Sequence, residues 1–234
     1  MPATWKVQTV NYTLQFGPIW DNRALIIDGF ITTILLSAVA LVLALLIGIA
    51  VGTAATAHRK IFRAASVIYV ESMRNIPLLI HMYFWYNGLS FLKIPAFWCG
   101  VFGLSLYSGA YVAEIVRSGI DSVPRGQRQA ALASGLTNLQ TMVFVVYPQA
   151  MRAIIPSLAS VFSQLIKDSS LASVIAVAEL TYQASAIEGQ TFRTFEVYIT
   201  VCVLYLVLVT LITQALTILS GSRDDGFPRR AADA

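Results

Sequence analysis

The stretch "VYITVCVLYLVLVTLITQALTIL", residues 197–219, runs its whole length without a charged side chain. A helix of that length crosses the roughly 30 Å hydrocarbon layer of a bilayer, the setting in which such a run is stable. Comparable apolar blocks recur at about residues 29–56, 62–86, 94–116 and 154–178. Hydrophobic residues make up 57% of the chain and charged ones only 12%. Backbone polar groups in lipid must be satisfied within the segment, so these blocks specify helices. The expected fold class is therefore all-α, a polytopic membrane protein with about five transmembrane helices. A lipid bilayer, and no nucleic acid, is the surface its basic residues are expected to meet. Cys99 and Cys202 lie in or beside apolar blocks at no metal-ligand spacing, which argues against a disulfide framework or a zinc site. His58 and His81 are lone histidines and carry no metal expectation.

Punctuation within the blocks adds detail. Gly48 and Gly52 are four apart on one helical face, a spacing that either permits close helix contact or arises by chance in a small-residue-rich helix. Pro77 should kink or break the second block. "KDSS" at residues 167–170 interrupts the fourth. Residues 1–27, rich in aromatics and lacking a cleavable signal pattern, are expected to be external or interfacial. The transmembrane domain is expected over residues 28–219 and a tail over 220–234.

Lysine and arginine orient the spans. Arg59, Lys60, Arg63, Arg117, Arg125, Arg128, Arg152, Arg223, Arg229 and Arg230 fall on one side, against Lys6, Arg23, Lys93 and Arg193 on the other. The positive-inside bias then predicts the N-terminus outside and the C-terminus in the cytoplasm.

Between the third and fourth blocks lies "GQRQAALASGLTNLQTMVFVVYP". Pro124 suits a first helical turn, and Gly135 can take the left-handed conformation that ends a helix. Thr137 with Gln140 makes a capping-box pattern for a second helix. That helix repeats apolar residues at Leu139, Met142, Val143, Val146 and Tyr147, and Pro148 is its expected stop. The insert, residues 121–148, is thus a cytoplasmic helical hairpin. Periodicity alone fits a surface hairpin packed on the bundle or a docking element for a partner.

The same stretch resembles the cytoplasmic signature of permease subunits in bacterial ABC importers. That signature has a Glu-Ala-Ala triplet, a glycine four positions after its last alanine, and a terminal proline; Ala130, Ala131, Gly135 and Pro148 match. "AYVAEIVRSGIDSVPRGQ", "PQAMRAIIP", "KDSSLASVIAVAEL" and "YVESMRNIPLLI" look like the branch that imports polar amino acids, and the resemblance covers roughly residues 28–219. Gln129 departs from the pattern, standing where the family carries glutamate, yet glutamine keeps the helical geometry.

The resemblance implies a type I ABC importer permease fold in a bacterial inner membrane. It implies ABC ATPase subunits, a second permease subunit, an external solute-binding protein and a polar amino-acid substrate as partners. Arg125, Gly126, Gln127, Gln129, Ala130, Ala131, Gly135 and Leu136 would then couple to the ATPase. The chain has no phosphate loop of the form GxxxxGK[ST], so it is expected to be non-catalytic, with ATP and magnesium held by the partner ATPase and no cofactor of its own.

Charges at bilayer depth usually face a cavity or a partner. Glu71, Arg74 and Asn75 form one candidate pathway group, in which Glu71 and Arg74 would either line the route or neutralise each other. Lys167, Asp168, Ser169 and Ser170 form a second, suited to an irregular stretch that meets an amino acid's ammonium and carboxylate, or to an internal salt bridge holding a helix break. Glu114 and Arg117 are expected in a solvated or interface role, and Glu179 at the outer surface facing an external partner. An ion-coupled secondary carrier or channel is the alternative function, disfavoured because no inverted hydropathy repeat is evident. A membrane-embedded enzyme lacks any catalytic motif at bilayer depth.

Overall fold

A computed structural model describes residues 12–57 and 59–219. Residues 1–11 of the expected external segment, His58, and the tail 220–234 with Arg223, Arg229 and Arg230 lie outside the described residues. Within them the chain is helical almost throughout. A short α1 (Gly17–Asp21) leads into α2 (Arg23–Ala55), which begins several residues before the apolar block does. The bundle continues with α3 (Lys60–Asn75), α4 (Leu78–Tyr83) and α5 (Ala96–Ser122). A hairpin, α6 (Arg125–Ala133) and α7 (Asn138–Thr141), precedes α8 (Tyr147–Asp168). After α8 come α9 (Leu180–Thr191) and α10 (Thr194–Leu219).

Among the described residues four helical stretches are long and apolar enough to cross a membrane: Arg23–Ala55, Ala96–Ser122, Asn138–Ile175 and Thr194–Leu216. The expected second span is instead two helices, α3 and α4, parted at Ile76 and Pro77, both with extended ψ. Proline drives its predecessor out of the helical region and has no amide to donate, which accounts for the break.

Helix α5 is the hub. Of its most apolar window 67% is buried, against 28% for α2 and 22% for the span of α10, so the other spans wrap around it. The glycine pair settles in favour of close contact. A methyl built on Gly48 would overlap Val112 of α5, and one on Gly52 would strike Val116 and the Ala113 carbonyl. The same Val112 and Val116, with Ile120, also share one buried cluster with Ala150, Ile154 and Leu158 of α8. A further cluster joins Leu180, Ala184 and Ile187 of α9 to Val197 and Val201 of α10.

Pro148, the expected stop of the second hairpin helix, does not stop it. Residues 142–146 form a π-helical turn, and Pro148 then sits at the start of α8. The wider turn makes room for the proline ring, which in regular α-geometry would meet the carbonyl four residues back. The extra residue also rotates the helix face. Of the predicted buried stripe, Val146 is buried at 3% exposure, whereas Leu139 is 74% exposed and Val143 46%.

Glu179 is the second correction: its side chain is fully buried, not at the outer surface. The 3-10 turn Ser169–Ile175 ends at Ala176 in the left-handed region (φ 61°), which folds the chain back so that Glu179 caps α9 from inside.

Candidate translocation route and coupling surface

Two concave features stand out, one at the break between α3 and α4 and one under the hairpin. The first, about 610 Å³, is bounded by Pro77, Leu78 and Leu79 of the α4 start, Tyr107, Ser108 and Tyr111 of α5, and Ser160, Gln164 and Asp168 of α8. Asp168 Oδ1 accepts from Gln164 Nε2 at 2.8 Å, one turn earlier on α8. The Tyr107 and Tyr111 hydroxyls lie 3.2 Å apart, again one turn apart on a helix. The Arg74 guanidinium lies over the Tyr111 ring, 5.1 Å from its centroid. An acidic group, a row of hydroxyls and a cation one ring away suit a small zwitterion.

The two candidate pathway groups thus converge only in part. Asp168 lines the cavity, but Lys167, the next residue, points about 100° away on the helix and is exposed. Among the described residues no ion pair joins Lys167 to Asp168, so the salt-bridge alternative is not seen. The Ser169 hydroxyl donates to the Ile166 carbonyl at 2.7 Å and Ser170 to that of Lys167 at 2.7 Å; both serve to finish α8. Glu71 and Arg74 do not neutralise each other either. Glu71 accepts from Asn75 Nδ2 at 3.0 Å, while Arg74 takes the tyrosine face. Sequence reasoning did not single out Tyr107, Tyr111 or Gln164. Their signal was an i, i+4 spacing, tyrosine to tyrosine and glutamine to aspartate, which puts each pair on one helix face.

The second cavity, about 740 Å³ and polar, lies between the hairpin and the bundle. It is lined by Arg125 and Arg128 of α6, Arg63 and Glu71 of α3, and Glu114, Arg117 and Asp121 of α5. Arg117 pairs with Glu114 and, at 3.1 Å, with Asp121, so the α5 lining carries its own ionic ladder.

The hairpin's own geometry follows its sequence closely. Gly135 adopts φ 87°. The Leu136 amide donates back to the Ala131 carbonyl at 3.2 Å and the Gly135 amide to Leu132 at 3.0 Å, the paired bonds of a Schellman cap. The Thr137 amide donates to Gln140 Oε1 at 2.9 Å and the Gln140 amide to Thr137 Oγ1 at 3.3 Å, a complete capping box. With both ends fixed, Gln127, Gln129 and Ala130 are exposed, Ala131 is buried, and open space surrounds a methyl built at Gly126. Beside them Leu132, Leu139, Val143 and Phe144 leave an apolar strip exposed, Phe144 at 68%. Leu139, Val143 and Phe144 stand in the first turns of the Asn138–Ile175 stretch, at its hairpin end.

Comparison with known proteins gives a consistent result. Residues 44–223 match the family described as binding-protein-dependent transport system inner membrane component. The probable glutamine ABC transporter permease protein GlnM of Bacillus subtilis is 39% identical over 81% of this chain and 89% of its own. The glutamine transport system permease protein GlnP of Escherichia coli is 35% identical over 86% of this chain and 94% of its own. Among solved structures, the crystal structure of an amino acid ABC transporter with histidines superposes at a TM-score of 0.82, with 36% identity, over 89% of this chain and 99% of that one.

Proposed function

Because the chain belongs to the family of binding-protein-dependent transport system inner membrane components, we propose that it forms the route for polar amino acids through an ATP-driven importer. In this reading an external solute-binding protein delivers the amino acid, separate ATPase subunits bind ATP and magnesium, and this chain holds no cofactor. It pairs with a second permease subunit, places its N-terminus outside and its C-terminus in the cytoplasm, and performs no covalent chemistry.

The observation that carries the route is the cavity where Asp168 and the two tyrosine hydroxyls face the broken helix. Asp168 takes the ammonium of the passing amino acid, the hydroxyls of Tyr107 and Tyr111 take its polar atoms in place of water, and Arg74 supplies positive charge for its carboxylate. The helix break supports this reading, since irregular backbone at membrane depth is tolerated where it lines a water-filled path. The hairpin supports the coupling role: its turn is closed by a Schellman cap and a capping box, and among the described residues nothing covers Leu132, Leu139 or Phe144. Arg125, Gly126, Gln127, Gln129, Ala130, Gly135 and Leu136 belong to that surface or its turn, while buried Ala131 anchors it.

Reconstitution tests the reading. Proteoliposomes holding this chain, its ATPase and its binding protein should take up a polar amino acid only with ATP inside. Uptake that runs without ATP and stops when ion gradients are collapsed would instead establish a secondary carrier.

A further inference from the structure

Helix α3 ends with a carbonyl that has lost its donor. In an unbroken helix the Met73 carbonyl accepts from the amide four residues on, and that residue is Pro77, which has no N–H. An unpaired carbonyl away from water is costly, so a substitute donor is expected. His81, on the far side of the break, supplies it: Nε2 lies 3.2 Å from the Met73 oxygen. A carbonyl can only accept, so Nε2 is the donor in this contact. The His81 side chain is buried, and its ring packs on Tyr107 with centroids 6.0 Å apart. Tyr107 in turn meets Tyr111, and both line the cavity that Pro77, Leu78 and Leu79 also line.

We infer that His81 is a positioning residue for transport: its Nε2–H replaces the amide that Pro77 lacks, fixes α4 against α3, and so sets the gap between the α4 wall and Tyr107 through which the substrate passes. The link to transport rests on the cavity being the amino-acid route. The latch requires a donor at this reach, whereas a plain core histidine requires only a ring of this shape. Two substitutions separate those demands. His81→Gln keeps an N–H donor and loses the ring, and His81→Phe keeps the ring against Tyr107 and loses the donor.

Both variants are made in the full chain and assembled with its ATPase and binding protein in nanodiscs and proteoliposomes. Amide hydrogen exchange across Leu78–Tyr83 reads the latch, and the amino-acid concentration giving half-maximal uptake reads its effect on the route. His81→Phe should exchange roughly tenfold faster in α4, the upper end of what one buried hydrogen bond contributes. It should also raise the half-saturating concentration several-fold while leaving maximal ATP hydrolysis unchanged. His81→Gln should match wild type in both. The latch is overturned if His81→Phe exchanges at the wild-type rate, or if His81→Gln fails to assemble or to hold α4. Altered exchange with unaltered half-saturation overturns the link to the route. Exchange is measured without transport, so a wild-type importer that moves no amino acid defeats the assigned function while the exchange data still decide the latch.

Discussion

The Tyr205 hydroxyl donates to the Glu179 carboxylate at 2.9 Å, joining α10 to the residue that caps α9. The same carboxylate accepts from the amides of Thr181 at 3.0 Å and Tyr182 at 2.8 Å, and Thr33 of α2 reaches it at 3.5 Å. One buried acid therefore ties three helices at one end of the bundle. Glu179→Ala strands two amides and a hydroxyl in a dry site and should destabilise the chain by about 3 kcal/mol. A lowered thermal midpoint of the purified complex checks it.

A pH dependence follows from the same group. Burial pushes the Glu179 carboxyl up from its ordinary value of 4.5, and the bonds from Thr181, Tyr182 and Tyr205 oppose this only in part. The folded chain then holds the proton more tightly than the unfolded one. Its contribution is fully present below pH 4.5 and is lost as pH rises through the raised folded value. The thermal midpoint of wild type relative to Glu179→Gln should therefore fall as pH rises from 4.5. A gap that widens over that range would mean the charged carboxylate is the form the fold favours.

Asp168 and Lys167 should behave differently despite being neighbours. Asp168→Asn preserves an acceptor for Gln164 and removes the charge, so uptake should drop roughly ten- to a hundredfold, the worth of a charge-assisted hydrogen bond. Lys167→Ala, at an exposed position, should stay within about twofold of wild type. Equal losses in both, measured as uptake by complexes of matched yield, would remove Asp168 from the route.

Gly135→Val should leave membrane insertion and abundance intact while weakening ATPase attachment or uncoupling hydrolysis from uptake. A β-branched residue resists φ 87°, at a local cost of about 1 kcal/mol or more, and would turn α7 away from α6. Gln129→Glu, on an exposed helical position, should be silent in the same assays. Normal co-purification and normal coupling in the valine variant would make the hairpin a passive ornament.

Orientation is open to direct labelling. Once the exposed Cys202 and the buried Cys99 are replaced, single cysteines at Lys60 and Gln140 should be shielded from an impermeant thiol reagent in intact cells. Cysteines at Lys93 and Gly189 should react. The reverse pattern would invert the assigned sidedness.

The sequence disclosed the helices and the hairpin in detail because their determinants are local. Pro77, Gly135 and the Thr137–Gln140 pair each act within a turn or two of themselves. The misreadings of Pro148 and Glu179 involve a change of helical period and partners far along the chain. Pro148 was misjudged because a π-turn just before it is invisible to a 3.6-residue pattern. Glu179 was placed outside because its cover comes from Thr33 and Tyr205, distant in sequence. Lys167 and Asp168 are neighbours in sequence, yet adjacent helical residues face different surroundings, which only the packing of α8 reveals. Tyr107 and Tyr111 carried a spacing signal but became meaningful only when α8 brought Gln164 and Asp168 opposite them.

The π-turn before Pro148 has a mechanical consequence. It lets the helix that begins in the hairpin run on to Asp168 as one helical stretch of roughly 45 Å at 1.5 Å per residue, in which Pro156 of α8 removes one backbone bond partway along. A tilt of about 5° applied at its hairpin end would swing the Asp168 end by about 4 Å, comparable to the width of an amino acid's side chain. Movement at the hairpin end would thus be handed along one continuous helix toward Asp168, with Pro156 the point at which that helix bends most readily.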